Sequence, residues 1–238
     1  MVMGDEQGAA AAALSVGAEH GGAVLTNERG TPRLDAVFSD IDRIARHPLR
    51  CFLNADIVLM DDFLPAVRRA SEFAPDVLMI GRTVDLAAVT ATELMNPARL
   101  RTRAAAEGVA RGAAAIDYFV FPAGLFGDLP PFLVGRAGFD NWLVWRARQS
   151  GPVIDASPSV LAIHQSHDYS HLEGGKDQAY AGEEAAANIA LAGGRDRLFT
   201  IHDATHRLLP DGGVRPNYGS LLRVRETARK IAWKLGRR

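Results

Sequence analysis

The residues able to do chemistry gather in a few short stretches of this chain. One is Asn54-Ala55-Asp56, which interrupts the apolar run 51–60 and is followed by Asp61 and Asp62. Asn and Asp are poor strand-interior residues and costly to bury without partners, so the step marks a strand end. Side chains at i and i+2 of an extended chain project the same way. That arrangement suits Asn54 and Asp56 to a hard divalent cation bridging a diphosphate. A strand-to-turn boundary, with both side chains bonding the backbone, explains the same residues.

A second stretch is rich in histidine. His164, His167 and His171 fall within eight residues, with Asp168 among them, after the apolar run 160–163. Imidazole is the commonest metal-ligating side chain, so the cluster points to metal or phosphate contact, or else to a polar loop whose histidines bond the backbone. Its spacing fits no standard zinc motif such as His-Glu-x-x-His. His202 and His206 form a further i, i+4 pair, expected at the surface. Asp140 precedes Asn141-Trp142-Leu143-Val144-Trp145 and is a candidate helix cap. Asp117 lies inside the aromatic, strand-like stretch 115–122.

The elements that must position these residues alternate. The alanine-rich segment 6–18 reads as a helix, and Ala23-Val24-Leu25 as a short strand. Thr31 and Pro32 open a helix carrying Leu34, Val37, Phe38 and Ile41 at helical spacing, with Thr31 as the N-cap. It ends near His47-Pro48. A strand over 49–60, a helix over 63–73 and a central strand at 77–80 follow, the last leading into Gly81-Arg82. Residues 86–114 read as helical with an interruption at Pro97. This tempo predicts one α/β domain over 1–215 with a mainly parallel sheet, whose site lies at the carboxyl ends of the strands.

Composition narrows the function classes. The net charge of -1 gives no general argument for nucleic acid. Cys51 is the single cysteine, so no intrachain disulfide or multi-cysteine zinc site can form, and a reducing, cytoplasmic setting is expected. No run is long and apolar enough to span a bilayer, and the acidic start is unlike an export signal. The charge is nonetheless uneven. Between Arg223 and Arg238 seven basic residues face Glu226 alone, and Leu221, Val224, Ala228, Ile231 and Leu235 recur at helical spacing. Residues 216–238 are therefore expected to form a basic amphipathic helix. Such a helix either contacts an anionic membrane surface peripherally or packs on its own domain.

Taken in order, several motifs resemble bacterial proteins related to family 2 glycosyltransferases, of the GT-A nucleotide-diphospho-sugar transferase superfamily. They are Asn54-Ala55-Asp56, Gly81-Arg82, Asp117 within 116–121, Gly135-Arg136 with Asp140-Asn141-Trp142, and 163–169 around His164 and His167. The resemblance covers roughly residues 4–205 and implies a GT-A-like domain that lacks the first βαβ portion. It implies a nucleotide-sugar donor and a glycan or lipid-linked acceptor, as in cell-envelope polysaccharide synthesis. It also implies Mn²⁺ or Mg²⁺ held at the Asp-x-Asp position, here Asn54-Ala55-Asp56 with Asn54 in place of the first acid. Asp56 with His164 and His167 would ligate the ion, and Asn54 would face ribose or sugar. Arg82 and Arg136 would grip phosphate, and Asp117 would contact the donor or serve the fold. Asp140 would be the general base of an inverting transfer, with Trp142 against a sugar face or in the core. The alternatives are a domain of the same kind that binds nucleotide or glycan without turnover, and a His/Asp metal-dependent hydrolase.

Overall fold

The structure is a computed structural model and describes residues 1–168 and 174–218. His171 and residues 219–238 of the basic helix expected over 216–238 lie outside the described residues, while Pro216 ends a strand and is not helical. The strands are β1 (Leu49–Leu53), β2 (Ile57–Leu59), β3 (Leu78–Gly81), β4 (Val84–Leu86), β5 (Val109–Ala110), β6 (Tyr118–Pro122), β7 (Val153–Asp155), β8 (Ala162–Gln165), β9 (His206–Leu208) and β10 (Val214–Pro216). The helices are α1 (Ala9–Ser15), α2 (Leu34–Ile44), α3 (Phe63–Phe73), α4 (Ala91–Leu94), α5 (Pro97–Glu107), α6 (Phe139–Ser150), α7 (Gly175–Ala181) and α8 (Glu183–Leu191).

The architecture is mixed α/β, built on two sheets. The larger has the order β1-β6-β3-β7-β9-β10 and the smaller β2-β8-β4-β5. The expectation of a mainly parallel sheet is corrected here. Among the described strands three pairings are parallel and five antiparallel. The cause lies between β3 and β6. No helix in that interval crosses back over the large sheet; the chain leaves β3 at Gly81, builds β4, α4, α5 and β5, and returns at the end it left. Gly81 therefore pairs with Tyr118, and β6 runs antiparallel to β3.

Period-two alternation in the central strands makes the core. Leu78, Ile80, Phe119, Phe121 and Val153 face one way and pack with Leu34, Val37 and Phe38 of α2 and Phe139, Leu143 and Val144 of α6. Met79, Tyr118, Val120 and Ile154 face the other way, onto Phe63, Ala66 and Ala70 of α3. A third cluster packs Leu86 and Ile163 of the small sheet on Leu100 and Ala104 of α5. Trp142 is buried against Phe132, with ring centroids 5.1 Å apart, so it belongs to the core.

Several local expectations are revised. Ala23–Leu25 forms no strand, and α2 starts at Leu34 after Arg33 rather than being capped by Thr31. The 49–60 strand breaks into β1 and β2 around a turn closed by Ile57 N–H donating to the Asn54 carbonyl at 3.3 Å. The 86–114 segment is only partly helical, because β4 and β5 bracket α4 and α5.

Tyr118 is fully buried, and its hydroxyl has no hydrogen-bond partner among the described residues. Tyr118→Phe is expected to raise the unfolding free energy by about 1 kcal/mol, since an unsatisfied buried hydroxyl is removed with the ring packing kept. A urea midpoint shifted upward at unchanged m-value checks this; a lower midpoint would contradict it.

Candidate metal centre and pocket

The small sheet brings together four polar side chains, Asp56, Asp85, His164 and His167, from three separate stretches of the sequence. β8 is flanked by β2, antiparallel, and by β4, parallel. His164 in β8 pairs in register with Asp85 of β4 and Ile57 of β2. Ile163 and Leu86 turn into the apolar cluster on α5, so their neighbours His164 and Asp85 emerge on the opposite face. Asp56, in the turn before β2, is tied to the end of β8 because its carbonyl accepts from Gln165 N–H at 3.0 Å. His167 lies just beyond β8.

Asp56, His164 and His167 thus converge. His164 Nε2 is 3.2 Å and His167 Nε2 3.3 Å from Asp56 Oδ2, and one ligand atom from each residue falls within 4.8 Å of the others. Atoms about 2.1 Å from a shared metal ion lie roughly 3.0–3.4 Å apart. The other carboxylate oxygen, Asp56 Oδ1, is buried with no hydrogen-bond partner among the described residues. Two imidazoles and a carboxylate with one orphaned oxygen are a donor set that fits a divalent transition ion. Burial would raise the Asp56 pKa, but the His164 hydrogen bond and charge outweigh it and hold the carboxyl below its ordinary value. The Asp56 hydrogen bond raises the His164 pKa against its partial burial.

These residues form one wall of a cavity of about 690 Å³, which is also lined by Asn54, Asp117, Arg136 and Asp140. Phe52, Phe119 and Phe139 give it an apolar side, and Tyr180 of α7 also lines it. Of the eight residues given ligand or catalytic roles from the sequence (Asn54, Asp56, Arg82, Asp117, Arg136, Asp140, His164 and His167), all but Arg82 line it, and Trp142 lies in the core. The Arg82 backbone N–H donates to Ser157 Oγ at 2.9 Å, and it is the next residue, Thr83, that contacts a lining residue. Thr83 Oγ1 donates to Asp117 Oδ2 at 2.6 Å, and Arg111 Nη1 donates to Asp117 Oδ1 at 2.9 Å. Asp117 is therefore a buried, paired carboxylate.

Arg136 lines the pocket with its charge already matched. Its Nε donates to Glu184 Oε2 of α8 at 2.7 Å, and Glu184 also accepts from Asn27 at 2.6 Å and from Thr31 at 2.9 Å. His206 lies elsewhere, 4.7 Å from the Phe73 ring between centroids, in β9 rather than on a helix with His202.

Asp140 lies in the first turn of α6. It is not the cap that the sequence suggested: Gly138 occupies that position at φ 111°, where a side chain would be strained. The Asp140 carboxylate instead accepts a long bond, 3.3 Å, from Gly138 N–H. Partial burial at the pocket wall desolvates the carboxyl and drives its pKa from the ordinary 3.8 up to about 7. The charge of Asp117 adds to the rise, while the bonds from backbone N–H groups oppose it.

Sequence reasoning missed Thr83, Asp85, Arg111 and Glu184. A carboxylate between two apolar residues, Val84-Asp85-Leu86, was the available signal for Asp85. No protein-family model, curated protein or solved structure matches the chain.

Because the folded pKa of Asp140 is raised, the native state binds its proton more tightly than the unfolded chain does. That stabilisation is present at low pH and is lost as pH rises from about 4 through about 7. Asp140→Asn, which keeps an acceptor for Gly138 N–H, is expected to remove this slope and to stabilise the protein above pH 7 by on the order of 1–3 kcal/mol. Urea unfolding of both proteins across this pH range checks it; parallel stability curves would contradict it.

Proposed function

We propose that this protein is a metal-dependent glycosyltransferase, moving a sugar from a nucleotide-sugar donor to a hydroxyl of a glycan or lipid-linked acceptor. One observation carries the reading. A single pocket joins a His₂Asp donor set to a separate carboxylate poised near neutral pH. The motif order Asn54-Ala55-Asp56, Asp117, Arg136, Asp140 and His164 resembles the GT-A superfamily in the same sense.

Asp56, His164 and His167 would hold the ion. Two imidazoles favour Mn²⁺ over the harder Mg²⁺. A bound divalent cation supplies charge neutralisation for a departing diphosphate. That supply matters in this pocket because its two arginines already face carboxylates: Arg111 meets Asp117 and Arg136 meets Glu184. Asn54, at the pocket wall, offers a neutral donor and acceptor for ribose or sugar hydroxyls.

Asp140 takes the proton of the acceptor hydroxyl as its oxygen bonds to the anomeric carbon. The bond from that carbon to the diphosphate oxygen breaks with its electron pair leaving on the diphosphate, which inverts the centre. A base titrating near 7 is well matched to this work. The apolar wall of Phe52, Phe119 and Phe139 offers a face for the less polar side of a sugar ring.

Calorimetric titration with UDP and GDP, with and without Mn²⁺, tests the reading. Nucleotide binding is expected to require the ion in the native protein and to be lost in Asp56→Ala. Asp140→Asn is expected to bind as the native protein does and to lose transfer at least 100-fold. Binding with neither transfer nor donor hydrolysis would leave a nucleotide-binding domain without turnover. Metal uptake with no nucleotide affinity would favour a His/Asp hydrolase instead.

A further inference from the structure

Asp85 touches the metal-ligand group without belonging to it. It neither lines the pocket nor counts among the three converging ligands. Its Oδ1 lies 2.7 Å from His164 Nδ1, on the far side of the ring from Asp56. A carboxylate oxygen can only accept, so Nδ1 carries the proton in this contact. Nε2 is directed at Asp56 Oδ2, 3.2 Å away, and when an ion displaces its proton the Nε2 lone pair is presented on the side of Asp56.

The backbone fixes this contact. Asp85 and His164 are register partners in the parallel β4–β8 ladder, and both emerge on the face opposite the α5 cluster. Asp85 is itself restrained, since Arg111 Nε lies 3.5 Å from the same Oδ1 while Arg111 Nη1 donates to Asp117 at 2.9 Å. The Asp85 side chain retains 38% of its exposure. Solvent therefore had access to it, and its seat on the imidazole reflects pairing rather than confinement.

We propose that Asp85 is a positioning residue that holds the His164 ring in its Nδ1–H tautomer and so sets the affinity of the Asp56, His164 and His167 group for a divalent transition ion. Arg111 keeps Asp85 in place and couples it to Asp117. The proposal rests on the metal reading of that group, and it adds an outer carboxylate drawn from a strand the ligands do not use. An acceptor on the far ring nitrogen orients a ligating histidine and makes it more basic, and its loss lowers metal affinity about 10–100-fold.

Two measurements test it, on the full chain and with folding checked by circular dichroism. Titration with Mn²⁺ alone is expected to show Asp85→Ala binding about 10–100-fold more weakly than the native protein. Asp85→Asn, which keeps an acceptor without the charge, should recover part of that loss. In the metal-free protein at alkaline pH, ¹⁵N shifts of the His164 ring should report the Nδ1–H tautomer in the native chain and in Asp85→Asn, and its loss in Asp85→Ala. A native protein that takes up no Mn²⁺ overturns the metal reading, while the ring shifts still judge Asp85. Equal Mn²⁺ affinity in the native protein and Asp85→Ala, with an unchanged tautomer, overturns the role of Asp85 alone.

Discussion

A histidine with a carboxylate on each ring nitrogen cannot sit in an apolar sheet, and much of this fold accommodates that constraint. His164 lies between Asp85 at 2.7 Å and Asp56 at 3.2 Å, in the middle of a sheet of four short strands. The large sheet is covered by apolar layers on both faces and offers no place for such a group. The small sheet buries one face on α5, and on the other it carries His164 to the pocket while Ile57 and Ala162 join the second apolar cluster. Two of the three paths from the large sheet to the small one pass a short polar step, at 54–56 between β1 and β2 and at 82–83 between β3 and β4. Those steps interrupt strands that would otherwise continue, and they bring Asp56 to the pocket and Thr83 to the lining residue Asp117.

Charge pairing around the cavity follows from the same constraint. Five acidic residues lie in or behind its walls, and four of them already have cationic or histidine partners: Asp56, Asp85, Asp117 and Glu184. Asp140 has no ion-pair partner among the described residues and takes only bonds from backbone N–H groups, so its pKa rises where those of Asp56 and Glu184 fall. Carboxylates whose environments push them apart in this way can take different roles in one site.

Much of the pocket was legible in the sequence because its residues break local rules. Asn54 and Asp56 interrupt an apolar run, Asp117 sits in an aromatic strand, and His164 and His167 follow a strand end. All five line one cavity. The residues that hold them were not legible, for two physical reasons. β4 and β5 are three and two residues long and exist by pairing with β8 and with each other. Their local composition, rich in alanine and arginine, favours helix, and a non-local ladder overrides it. Strand direction was misread because parallel order presumes a crossover helix after each strand, whereas the chain between β3 and β6 folds into the small sheet. Arg82 illustrates the resulting one-residue error: an arginine beside a strand end drew attention, and the hydroxyl next to it makes the contact.

The small sheet also bears on how the molecule comes together in time. His164 and Asp85 are separated by 79 positions in sequence, and Leu161 N–H reaches back 99 positions to Asp62. Contacts of that span close late, since the loops they join must first be ordered. None of the short strands carrying these residues has a nearby partner in sequence that could preassemble a binding group. The proposed ion would then be captured last in folding, and the rate of its uptake by the refolding chain would time completion of the small sheet.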